Sequence, residues 1–287
     1  MMPNAAPNVF DTISQSYYEL TAAERKAADY VLKNRDRSQY LSIGELAEES
    51  GVAEATVSRF CRRLGYKGYN AFKLAIANAG APKLGAGEMD KPPRESDDPI
   101  ELARKLYAVE SEAMLQTLSL LRPTELDRAV AILRSARRVL CMGQGGSMIL
   151  AEEAAHLFSV CDGKFFPVSD SHMQVIAAAT LTEDDAVLFF SYSGATKDMM
   201  ETLSVVRQQK AKIILITRFP RSPGAQLADV VLQCGSNESP LQHGSVPARI
   251  AQLFLLDILF TRLTLSEADG CQENRQRIAA ALADKHL

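Results

Sequence analysis

The chain contains no tryptophan, and its other aromatics are few, eight tyrosines and eleven phenylalanines in 287 residues. That composition argues against a surface that stacks on carbohydrate rings. Cysteine is sparse: the five, at positions 61, 141, 161, 234 and 271, lie far apart and form no C-x-x-C pair, so neither a zinc site nor a disulfide framework is indicated and a reducing cytosol fits. No stretch approaches the ~18 consecutive apolar residues of a membrane span, and Met1 to Phe10 lacks the basic end and apolar core of a secretory leader. The expectation is a cytoplasmic protein with no membrane insertion. The four histidines, 156, 172, 243 and 286, show no metal-ligand spacing, and neither a metal nor a cofactor is expected.

What is present is ample core material, 47% hydrophobic residues, in a length that suits two domains. Net charge is −3, yet residues 51–80 carry Arg59, Arg62, Arg63, Lys67 and Lys73 against Glu54 alone. A basic surface confined to one short region suits a local nucleic-acid contact.

Two capping boxes, Thr21-Ala22-Ala23-Glu24 and Ser42-Ile43-Gly44-Glu45, each open a helix. The second helix ends near Ser50, Gly51-Val52 makes a tight turn, and Glu54 to Leu64 forms a further helix with Val57, Phe60, Cys61 and Leu64 on one face. Gly65 stops it, and Tyr69 to Asn78 supplies another. This is helix, three-residue turn, helix. As a DNA reader it places Thr56, Ser58 and Arg59 toward base edges and Arg62, Arg63 and Lys67 toward phosphates; as a plain bundle it shows only a solvated charged face.

Residues 81–99 are rich in proline, glycine and charge and read as a linker between a first domain, 1–80, and a second, 100–287. A long helix follows from Ile100, and Thr124-Glu125-Leu126-Asp127 reads as a third capping box. Short apolar runs then alternate with helical segments: strands at 139–142, 165–168, 186–190, 213–217 and 230–233, helices near 148–160, 173–179 and 197–209. Such alternation predicts a parallel sheet covered on both faces, with ligands beyond the carboxyl ends of strands. Two more helices, about 248–263 and 272–284, close the chain.

Two loops sit at such strand ends. Ser191-Tyr192-Ser193-Gly194-Ala195-Thr196 offers serine and threonine hydroxyls and the unpaired amides of a helix N-terminus, with Gly194 free to take an unusual backbone angle. A phosphate monoester suits that chemistry. The loop has no lysine or arginine, which favours holding a phosphorylated ligand over phosphoryl transfer. Gly143-Gln144-Gly145-Gly146-Ser147 is the second anion loop. It fails as a dinucleotide fingerprint, because Met148 takes the third glycine position and Gly163 stands where an acid is expected. Around this pocket His172 either contacts the ligand or caps the next helix. Glu152 and Glu153 either meet ligand hydroxyls or face solvent, and Arg249 pairs with phosphate or with a carboxylate. His156 reads as a packed helix histidine.

These segments resemble the RpiR-type transcriptional regulators, in which an N-terminal helix-turn-helix is joined to a C-terminal sugar isomerase (SIS) domain. The resemblance is carried by Val52 to Tyr66 with Phe72-Lys73, by Gly143 to Ser147, by Ser191 to Thr196 and by Arg249-Ile250-Ala251-Gln252-Leu253. It implies an all-α helix-turn-helix domain plus an α/β three-layer SIS domain with a five-stranded parallel sheet. It further implies a non-catalytic sensor of phosphorylated sugar, a homodimer or homotetramer, and a palindromic DNA operator, with repression the commoner direction. Ser147, Ser191, Ser193 and Thr196 carry over as ligand contacts; Gly145, Gly146, Gly194, Glu153, His172 and Arg249 complete the candidate site. Ala53 and Ala248 depart from the family, where serine is frequent. The competing function is an aldose-ketose phosphate isomerase or amino-sugar phosphate lyase using the Glu152, Glu153 and His172 group.

Overall fold

The structure is a computed structural model that describes residues 8–39, 41–80, 96–235, 246–266 and 268–283. The chain divides into two compact units between Val109 and Glu110. Most of the expected linker, 81–95, lies outside the described residues, as do His243 and His286.

The first unit is helical. Asn8 caps α1 (Val9–Ser16), a short 3-10 turn follows at Tyr17–Glu19, and then come α2 (Ala22–Lys33), α3 (Arg35–Ser38), α4 (Ile43–Ser50), α5 (Glu54–Arg63) and α6 (Tyr69–Gly80). Both capping boxes form as the sequence predicts, with Thr21 and Glu24 closing on α2 and Ser42 and Glu45 on α4. Gly51 ends α4 in the left-handed region at φ 65°, and the α5 cap, Ala53, makes no side-chain bond. Ile13, Ala27, Val31, Leu46, Val57, Phe60 and Phe72 form the core. Burial there pushes the Cys61 thiol up to about 12. The helix α7 (Pro99–Leu120) begins in this unit, where Lys105 is buried against Asp97 at 2.6 Å and Glu101 at 2.8 Å.

The second unit alternates strand and helix: α8 (Pro123–Ser135), β1 (Val139–Gly143), α9 (Gly146–Ser159), β2 (Phe165–Val168), α10 (Ser171–Ala179), β3 (Ala186–Phe190), α11 (Lys197–Gln208), β4 (Lys212–Thr217), α12 (Pro223–Leu227), β5 (Val230–Gln233), α13 (Val246–Ser266) and α14 (Ala268–Leu282). The five strands are parallel in the order β2-β1-β3-β4-β5. Alternation within the strands builds two cores. Val139, Cys141, Leu188, Phe190, Ile214 and Ile216 face α8, α9 and α13, while Leu140, Met142, Val187, Phe189, Ile213 and Leu215 face α10 and α11. Three layers result, as expected. The third capping box does not form: α8 starts two residues earlier than Thr124 as a cap would require, with Pro123 in its first turn and Arg122 as an unbonded cap, because proline fixes φ for a helical start.

At the outer edge, Lys164 O accepts from Val139 N at 2.9 Å. Strand alternation then turns the backbone groups of Phe165 and Pro167 away from β1, so proline occupies the free margin. Among the described residues no helix is long and apolar enough to cross a membrane.

Candidate functional site

The strand order reverses between β1 and β3: the chain leaves β1 for β2 on one side and returns to β3 on the other. The loops after β1 and β3 are therefore neighbours whose helices run to opposite faces of the sheet, which opens a crevice at their carboxyl ends. Both predicted anion loops border it.

After β1 the backbone doubles tightly into α9. A Cβ on Gly143 would lie 2.5 Å from Ser147 O, and Gly145 stands at φ 54°, ψ −127° as the helix cap. Ser147 N donates to Gln144 O and Met148 N to Gly145 O, both at 3.1 Å. Neither bond involves the Ser147 hydroxyl. A Cβ on Gly146 would meet Arg249 Nη1 at 3.2 Å, so the guanidinium from the start of α13 lies against the first turn of α9. No carboxylate pairs with Arg249 among the described residues.

In the loop after β3, Ser191 Oγ accepts from Gly194 N at 3.1 Å and Ser193 Oγ from Ala195 N at 3.4 Å. Each hydroxyl keeps its proton for another acceptor. Gly194 adopts φ 60° and packs on Ser222, the cap of α12, while its carbonyl accepts from Gly224 N at 2.9 Å. Thr196 precedes α11 but makes no capping bond, so the first-turn amides of that helix stay available. Its hydroxyl instead donates to Gln144 Oε1 at 2.9 Å, joining the two loops.

The remaining candidates are on exposed helix surface. Glu152 and Glu153 are exposed on α9, and His172 is exposed in the first turn of α10. The cap of α10 is Asp170, whose Oδ1 accepts from Met173 N at 2.8 Å, so capping is not the task of His172. His156 is exposed, not packed, because Ala155 and Phe158 occupy the inward face of α9. Sequence reasoning passed over Gln174, fully buried in α10, whose Nε2 donates to Gly143 O and Val168 O at 2.8 Å each and ties the ends of β1 and β2. A glutamine in an otherwise apolar helix was the available signal. No metal-holding group of three or more residues occurs among the described residues.

On α5, Val57, Phe60 and Cys61 face inward. Thr56 departs from the expected solvent-facing position: it is 6% exposed and its Oγ1 accepts from Arg59 Nη2 at 3.3 Å. At 100° per residue it lies only 40° from Phe60 around the helix, on the flank of the buried arc. Ser58 is half-buried, and Arg59, Arg62, Arg63 and Lys67 are exposed. Arg63 has an internal task as well, donating to Glu24 Oε1 and to Glu19 O, both at 3.2 Å. Burial pushes the Glu24 carboxyl up, but hydrogen bonds from Thr21 and the Arg63 guanidinium outweigh it and hold the group below its ordinary range.

Residues 7–83 match the helix-turn-helix domain of the rpiR family, and residues 132–262 match the SIS domain. The chain is 32% identical to an uncharacterized HTH-type transcriptional regulator of Haemophilus influenzae, with 98% of each chain covered. It is 31% identical to the HTH-type transcriptional regulator HexR of Pseudomonas aeruginosa, over 96% of this chain and 95% of that one. Among solved structures, NanR of Vibrio vulnificus complexed with ManNAc-6P superposes with a TM-score of 0.64 at 24% identity, over 97% of this chain and 99% of that one.

Proposed function

The chain belongs to the rpiR family of helix-turn-helix transcriptional regulators with a SIS domain, and from that premise we propose that it represses sugar-metabolism genes under the control of a bound phosphorylated sugar. The observation that carries the proposal is that the Thr196 to Gln144 bond joins the two hydroxyl-bearing loops, while the Arg249 guanidinium, with no carboxylate partner among the described residues, lies against Gly146. Hydroxyl donors, helix-start amides and one cation together suit a phosphate dianion. Gly145, Gly146 and Gly194 let the backbone approach the ligand, and we assign the exposed Glu153 and His172 to sugar hydroxyls. The NanR neighbour, complexed with ManNAc-6P, supports this ligand class.

On the DNA side we assign Ser58 and Arg59 to base edges and Arg62 and Lys67 to phosphates, with Arg63 divided between phosphate and Glu24. Thr56 acts through Arg59. A homodimer or homotetramer would present paired α5 helices to a palindromic operator. Binding energies at the two sites are reciprocal: a sugar that weakens DNA binding tenfold must itself bind tenfold more weakly to the DNA complex. Fluorescence anisotropy with upstream DNA fragments, with and without a panel of sugar phosphates, tests the proposal. Absence of salt-dependent DNA binding would sink it. A parallel assay for proton exchange at C2 of the same sugars addresses the isomerase alternative, which predicts exchange where the sensor predicts none.

A further inference from the structure

We propose that Gln144 is a further effector contact, one that donates its side-chain amide to a phosphate or sugar oxygen of the bound ligand. The inference rests on the effector reading above and deepens it. Gln144 lies between Gly143 and Gly145, in the tightest part of the β1–α9 turn. Its Oε1 accepts the Thr196 hydroxyl at 2.9 Å. That bond fixes the amide plane at the junction of the two anion loops. Its Nε2 is buried and has no hydrogen-bond partner among the described residues.

A buried amide donor left without an acceptor costs free energy, and native structures rarely carry one without a use. Here the donor is held by a residue from the opposite loop, and that loop also carries Ser191 and Ser193, whose hydroxyls accept a backbone amide each and keep their protons. The arriving group that satisfies all of them is an oxygen-rich acceptor. Neutral glutamine also suits the place better than a cation would, because Arg249 already supplies positive charge beside Gly146. Thr196 makes no capping bond to α11, which leaves the α11 amides open to the same ligand.

The test is calorimetric titration of the full-length protein with hexose 6-phosphates and N-acetylhexosamine 6-phosphates. Four forms are compared: the unaltered chain, Gln144→Met, Gln144→Glu and Ser191→Ala. Methionine keeps the length and removes the donor, and affinity should fall about fivefold. Glutamate replaces the donor with a negative acceptor, and affinity should fall more than tenfold. The order glutamine, methionine, glutamate is one that a purely structural role would not produce, since glutamate can still accept from Thr196. Thermal unfolding without ligand checks that the variants remain folded. If the unaltered chain binds a sugar phosphate and both Gln144 variants bind it equally well, Gln144 is no contact and the effector site stands. If the glutamate variant binds as tightly as the methionine variant, the donor assignment is wrong. If the unaltered chain binds none of the panel, the effector reading fails and this inference falls with it.

Discussion

Gly194 lies so close to Ser222 that a Cβ built on it would stand 2.1 Å from Ser222 Oγ. With φ at 60°, two independent constraints demand glycine there: a left-handed backbone and direct contact with the cap of α12. Gly194→Ala should therefore destabilise the second unit by about 2–4 kcal/mol, the sum of overpacking and backbone strain. Urea unfolding measures it. A loss under ~0.5 kcal/mol would show that the loop relaxes freely.

Ser191→Ala and Ser193→Ala remove hydroxyls that each accept one backbone amide and that, in the proposed site, give their protons to the ligand. Each change should weaken sugar-phosphate binding by about 1.5 kcal/mol, roughly tenfold. Fold stability should move less than the ligand-induced rise in melting temperature. Calorimetry and thermal shift on the same samples separate the two effects.

The arginines of α5 should behave differently from one another. Arg62→Ala should weaken DNA binding across sequences and reduce the salt slope by about one phosphate contact. Arg63→Ala should also unfold the first unit more readily, by about 1–3 kcal/mol, because Glu24, whose side chain is 3% exposed, loses its guanidinium partner. Denaturant titration of both variants, alongside anisotropy, distinguishes them.

Acid stability should depend on Glu24 and Asp185. Burial pushes the Asp185 carboxyl up, but hydrogen bonds from Thr182 and the Arg137 guanidinium outweigh it and hold the group below its ordinary value of 3.8. Glu24 is likewise held below 4.5. For a group lowered in the folded state, the stabilisation is complete above the unfolded value and is lost as pH falls through the folded one. Stability should thus decline from about pH 4.5 downward, and Glu24→Gln with Asp185→Asn should flatten that decline while lowering stability at pH 7. A series of denaturant melts between pH 7 and 3 reads the slope.

Much of this fold was legible because local signals agreed with tertiary need. The runs at 165–168, 186–190 and 230–233 became β2, β3 and β5 without adjustment, since apolar β-branched and aromatic residues between helices have one place to go in a parallel sheet. The capping boxes at Thr21 and Ser42 worked because each offers two reciprocal bonds. The α1 and α12 segments escaped notice: each is short, eight and five residues, and each is held by packing more than by periodicity. The positions of the two anion loops could be read from strand ends. The Thr196 to Gln144 bond and the approach of Arg249 to Gly146 could not, because they join residues 52 or more positions apart and depend on which strands become neighbours. Thr56 was misplaced for a related reason, since a helical wheel locates the centre of a buried arc better than its margins.

The proline at position 167 has a consequence for colloidal behaviour. A bare sheet margin is a template on which an unfolded copy can crystallise as an added ribbon, and hydrophobic Phe166, 47% exposed beside it, would make such growth more favourable. With no amide hydrogen to offer, Pro167 leaves a gap in the ladder that an incoming chain would need, so fibrillar elongation along this margin is interrupted from the start.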